Sequence, residues 1–132
     1  MNRIVGTFTI ALAVAGASMA MAESAGLRVQ KFPDVVDVRV HARSDSTYDF
    51  DATISSPYDT PQRYADAFRV MSTEGIQFGE RNLFHDHANQ QPFTRDLYGV
   101  AIPAGIKTVV IQARDKKYGY GGKTLQVTLP GR

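Results

Sequence analysis

The sequence predicts an all-β domain, a seven-stranded antiparallel Greek-key sandwich, on three observations. Apolar and polar residues alternate with period two in one segment after another, turn-forming clusters separate those segments, and about 110 residues remain once an amino-terminal leader is set aside. The most regular pair lies in the last third. In Thr108-Val109-Val110-Ile111-Gln112-Ala113-Arg114 and Thr124-Leu125-Gln126-Val127-Thr128-Leu129, alternation lets Val109, Ile111 and Ala113 face Leu125, Val127 and Leu129. Those are strands six and seven, a hairpin with one buried face. Between them Asp115 to Lys123 is too glycine-rich for a helix and too long for a two-residue turn, so the sequence predicts a loop standing out from the sheet. A lone hairpin is marginal in water, so other strands must cover its apolar face.

The preceding chain supplies them. Glu23 to Pro33 is a polar lead whose Phe32-Pro33 suggests a sheet edge. Val36 to Ala42 alternates, with Val36, Val38 and Val40 on one face and Asp37, Arg39 and His41 on the other, which predicts strand one. Arg43-Ser44-Asp45-Ser46 is turn chemistry, and the next strand buries Tyr48, Phe50, Ala52 and Ile54. Ser55 to Arg63 holds Pro57 and Pro61 and reads as a loop. Pro61 to Met71 admits a helix, but Tyr64 to Val70 also fits period two and Ser72-Thr73-Glu74-Gly75 turns naturally into Ile76 to Phe84, so strands three and four are preferred. Gly79 marks a bulge in strand four. Phe93 to Ile102 is strand five, closed by Pro103-Ala104-Gly105. On this parity Asp66 points inward beside Phe68 and Val70, with Arg63 or Arg95 as its partner in a structural ion pair.

Composition bounds the function. Arg3, the apolar run Ile4 to Ala15 and Ala20-Met21-Ala22 read as a cleaved secretory signal over residues 1 to 22, with residues 23 to 132 as one domain in the periplasm or outside the cell. An alternative cut follows Ala20. The leader is too short for a membrane anchor, and no transmembrane segment is expected in the mature chain. Removing it takes away Arg3 and leaves 14 basic residues against 13 acidic, which makes no electrostatic case for nucleic acid or a membrane surface. The chain has no cysteine, so disulfides, thiol chemistry, thiolate metal sites and a cysteine acylation site are excluded, and apolar packing must hold the domain together. There is no internal repeat or linker.

Leu97-Tyr98-Gly99-Val100-Ala101-Ile102-Pro103-Ala104-Gly105, then Val109 to Arg114 and the Gly-Tyr-Gly-Gly turn, resemble the last three strands of fibronectin type III modules, which implies an immunoglobulin-like sandwich. Tyr64-Ala65-Asp66, His85-Asp86-His87, Gln91-Pro92-Phe93-Thr94-Arg95 and Tyr120-Gly121-Gly122-Lys123 are similar to small secreted bacterial proteins of uncharacterised function, a resemblance that carries no function with it.

Antiparallel strands send alternate connections to opposite ends. Short turns gather at one end, and Ser55 to Arg63, His85 to Pro92 and Asp115 to Lys123 at the other, where a rigid scaffold would present binding residues. Tyr58, Asp59, Arg63, Asp86, Asn89, Tyr118 and Tyr120 form the expected binding surface, since loop tyrosines give amphipathic contact area at little entropy cost. A protein or glycan partner fits it. An alternative is a Zn or Cu site, because His85 and His87 share a face in extended backbone, with Asp59, Asp86 or Asp115 as third ligand; His41 lies toward the other end. Otherwise no cofactor is expected. No Gly-x-Ser-x-Gly elbow, His-Glu-x-x-His helix or cysteine nucleophile is present, so the sequence argues for a monomeric, non-enzymatic binding or accessory module.

Overall fold

The computed structural model describes residues 30–132; the expected leader and its cleavage site lie outside the described residues. Seven strands follow in order: β1 (Asp34–Ala42), β2 (Thr47–Ser55), β3 (Ala65–Met71), β4 (Gln77–Asn82), β5 (Phe93–Ala101), β6 (Thr108–Asp115) and β7 (Gly119–Thr128). They form two antiparallel sheets, ordered β1-β2-β5 and β4-β3-β6-β7. The described residues contain no helix, so the strand reading of 64–70 holds, and none is long and apolar enough to cross a membrane.

Alternation builds the core where the sequence predicts it. Tyr48, Phe50, Ala52 and Ile54 of β2, with Phe93 and Val100 of neighbouring β5, form one buried cluster with Phe68 and Val70 of β3 and Val109, Ile111 and Ala113 of β6. Each large apolar side chain buried there contributes about 1.5 to 3 kcal/mol, the main term available to a chain without disulfides. Both sides of the sandwich are closed. At one, Arg81 of β4 reaches across to the Asp96 carboxylate of β5 at 2.6 Å; at the other, β1 runs beside β7.

Where the alternation is broken, a bulge is the cause. The register of β1 on β2 shifts between Val35 and Asp37, so Val35 is buried and Val36, expected inside, is 47% exposed. A second shift, between Ala65 and Ala67, turns Asp66 outward. Its carboxylate takes a 2.8 Å hydrogen bond from Arg114 Nε, not from Arg63 or Arg95. In β4 the extra residue is Phe78, beside the expected Gly79.

The largest departure concerns the expected loop between β6 and β7. Only residues 116–118 connect them, and Gly119 already pairs with Asp115. Residues 119–123 belong to β7, which bulges by two residues before Leu125 pairs with Ile111. The bulge receives the amino-terminal lead. Phe32 lies against Gly121, the Pro33 carbonyl lies against Gly122, and Lys123 N donates to Asp34 Oδ1 at 2.8 Å. Phe32-Pro33 is thus packed into the sandwich instead of marking a free edge, and Pro33 is fully buried.

Candidate functional site

Connections 56–64, 83–92 and 116–118 lie at one end of the sandwich, joined by residues 30–33. The inward parity of Val109, Ile111 and Ala113 continues to Asp115, which is 1% exposed at the end of β6. Four donors converge on its carboxylate. Tyr58 Oη donates to Oδ1 at 2.6 Å, and Arg63 Nε, Lys117 N and Tyr118 N donate to Oδ2 at 3.2, 2.9 and 2.8 Å. Burial alone would raise the Asp115 pKa, but the bonds from Tyr58, the Tyr118 amide, Arg63 and the Lys117 amide outweigh it and hold the group below the usual carboxylate range. Burial and the same bond push the Tyr58 phenol well up, so it stays a donor. Asp115 is therefore a charged anchor for two loops.

Arg63 carries the network to the surface. Its position comes from a tight turn in which Thr60 N donates to the Arg63 carbonyl at 2.8 Å and Arg63 N to the Thr60 carbonyl at 3.1 Å. A terminal guanidinium nitrogen also donates to the Lys31 carbonyl. The guanidinium lies 4.2 Å from the Tyr58 ring centroid and 4.9 Å from that of Tyr118. Lys31 Nζ and Lys117 Nζ stand 4.5 and 5.3 Å from the same Tyr118 ring, Phe32 meets it edge-on at 6.3 Å, and Lys116 Nζ is 4.8 Å from the Tyr64 ring. Tyr118 itself is 44% exposed.

A second network underlies the β4–β5 connection. Asp59 accepts from Ala65 N at 3.2 Å and His87 N at 3.1 Å; burial pushes its pKa up against those bonds. Gln91 accepts from Ser56 N at 2.6 Å and donates to the His87 carbonyl at 2.9 Å. His87 is 3% exposed and stacks on Phe93 with centroids 3.9 Å apart and planes 10° apart. Arg95 lies 2.8 Å from Nε2, and a guanidinium has only donors, so Nε2 accepts and Nδ1 carries the proton. Among the described residues Nδ1 has no partner.

His87 is consequently held neutral. Burial, then Arg95, then His85 lower its pKa, and only Asp86 opposes them. The folded state binds this proton less readily than the unfolded chain, so stability falls as pH drops below about 6.5. Urea unfolding is expected to show a lower midpoint at pH 5 than at pH 7.5, and His87→Phe, which keeps the stack on Phe93, to remove most of that difference. An unchanged difference in the variant would place the titrating group elsewhere.

The structure brings Tyr58, Arg63 and Tyr118 together; Asp59, expected on the same surface, is instead 5% exposed, its carboxylate taken by Ala65 N and His87 N beneath the β4–β5 connection. Asp86 serves locally, accepting from Ala88 N at 3.2 Å, and Asn89 is exposed without a side-chain contact in this network. Tyr120 does not belong to the site. It pairs in register with Arg114 on the outer face of the four-stranded sheet, where its hydroxyl donates to Glu80 and Arg69 lies 3.9 Å from its ring.

His85 and His87 do approach, with centroids 4.8 Å apart, but the third ligands expected for a metal are committed: Asp59 to backbone amides, Asp86 to Ala88 and Asp115 to Arg63 and Tyr58. Among the described residues no group of three or more metal-ligating side chains forms a cluster. His41 lies at the opposite end, in register with Asp49. Sequence reasoning missed Lys31, Phe32, Gln91 and Arg95. Only Asp115 carried a readable signal, its inward parity.

No protein-family model matches the chain, and no solved structure does. Over 94 residues, 71% of the chain, it is 33% identical to a protein of Halomicrobium mukohataei described as "Putative lipoprotein". The match covers 46% of that relative, so the chain spans about half of its length.

Proposed function

We propose that the chain is an extracytoplasmic, non-enzymatic binding or accessory module that engages a protein or glycan partner through the 56–64, 83–92 and 116–118 end. The observation that carries this reading is the aromatic and cationic array of Tyr58, Arg63, Tyr118 and Lys31, fixed from beneath by the four donors on Asp115. Such an array is preorganised, so a partner meets side chains whose ordering is already complete. Phe84, 82% exposed at the start of the β4–β5 connection, adds apolar contact area on the same loop set.

The strand order β1-β2-β5 against β4-β3-β6-β7 supports a fibronectin type III arrangement, the immunoglobulin-like sandwich expected from strands five to seven. The relative described as a lipoprotein supports a place at the cell envelope, in the periplasm or outside the cell. The module acts as a monomer.

The test is chemical-shift mapping of isotope-labelled protein against two envelope fractions from the host cell, soluble proteins and polysaccharides. Perturbations confined to Lys31 and residues 56–63, 84–90 and 116–118 are expected with one fraction. Perturbations spread over the outer sheet faces, or none with either fraction, would sink the reading.

A further inference from the structure

Resting on that reading, we infer that the ligand at this end is a carboxylated polysaccharide, bound with its acid groups between Lys31 and Lys117 and its sugar rings against Tyr118. Three cations, Arg63, Lys31 and Lys117, lie within 5.3 Å of the Tyr118 ring centroid, and the carboxylate beneath them is that of buried Asp115. That carboxylate is fully used by its four donors. Among the described residues Lys31, Lys116 and Lys117 make no ion pair, whereas Arg39, Arg43, Arg81 and Arg114 each do. The ammonium groups rest on aromatic rings, which hold them in place without neutralising them. An incoming anion would be the first carboxylate these ammonium groups pair with.

The same geometry selects among anions. In a uronic-acid-type sugar the carboxylate is attached directly to a stiff ring with an apolar C–H face, so one residue can meet an ammonium and the exposed part of Tyr118 together. An acidic peptide carries its charge on a flexible tether and gains most from pairing its backbone. That pairing is closed here, because Lys117 N and Tyr118 N both point inward to Asp115.

The probe is polygalacturonate, titrated into the protein by calorimetry at low salt, with fully methyl-esterified polygalacturonate and poly-glutamate as comparators. Saturable binding is expected to polygalacturonate, at least tenfold weaker binding to poly-glutamate, and none to the ester. Lys31→Gln combined with Lys117→Gln should weaken binding at least tenfold. Tyr118→Leu, which keeps every charge, should weaken it about threefold or more. Thermal melts establish that both variants fold.

Equal binding to poly-glutamate, or indifference to Tyr118→Leu, would overturn the inference in favour of unselective charge attraction. Absence of polygalacturonate binding would also overturn it. If an envelope fraction still perturbs the loop end in that case, the binding-module reading stands with another ligand; if neither acts, both fail.

Discussion

Asp115→Ala is expected to destabilise the domain by about 3 to 5 kcal/mol, read as a lowered urea midpoint at pH 7. The size follows from what the substitution leaves behind. Arg63 loses the buried carboxylate 3.1 Å from its Nε, the Tyr58 hydroxyl loses its acceptor, and two amides of the β6–β7 turn lose theirs. Asp115→Asn separates shape from charge, since the amide oxygen still accepts but cannot neutralise Arg63; a smaller loss is expected. A direction in pH accompanies this. The folded carboxyl is held below its ordinary value, so its contribution is complete above about pH 4 and is lost as pH falls through the folded value. Asp115→Asn should therefore flatten the acid limb of the stability curve. By contrast, Asp37→Ala breaks a 4.0 Å pair with Arg39 on an exposed face and should change stability by less than about 0.5 kcal/mol. Equal losses for Asp115→Ala and Asp37→Ala would mean that Asp115 anchors nothing.

How much of the molecule was legible from its residues depends on where the period-two rule is interrupted. β2 and β6 run without an internal extra residue of their own, and their inward sets, Tyr48 to Ile54 and Val109 to Ala113, are the ones the alternation predicts. Alternation alone puts Val36 and Asp66 on the wrong face because each is the extra residue of a bulge, and a bulge depends on the partner strand, which local sequence does not contain. Gly119 to Lys123 reads as a loop for a related reason. Glycine usually marks a turn, but Gly121 and Gly122 make room for Phe32 and Pro33, which lie far away in the sequence. The site was half legible on the same terms. Parity and connection length brought Tyr58, Arg63 and Tyr118 to one end, whereas Lys31 arrives through the packing of the lead, and Tyr120 leaves because its residue is strand.

That packing makes Gly122→Ala the second large effect, with an expected loss of about 3 to 5 kcal/mol from a strained backbone and an overpacked contact together. At φ 77° the residue occupies the left-handed region, and an added Cβ would run into the Pro33 carbonyl, 3.0 Å from its carbon and closer still to its oxygen. Neither partner has freedom to move, because Pro33 is buried and Asp34 is tied to Lys123 N. Gly119→Ala serves as the control. It has φ 87° but open space around the position, so only backbone strain of about 1 to 2 kcal/mol is expected. The difference between the two variants, measured by urea unfolding, isolates the contact with the lead. Gly121→Ala would press on the Phe32 ring, which sits edge-on to Tyr118, and so should also displace Lys31 from the Tyr118 ring. If Gly122→Ala costs no more than Gly119→Ala, the lead is not seated in the β7 bulge. Lys31 would then have no fixed place beside Tyr118, and the cationic end would lose the rigidity on which its binding role depends.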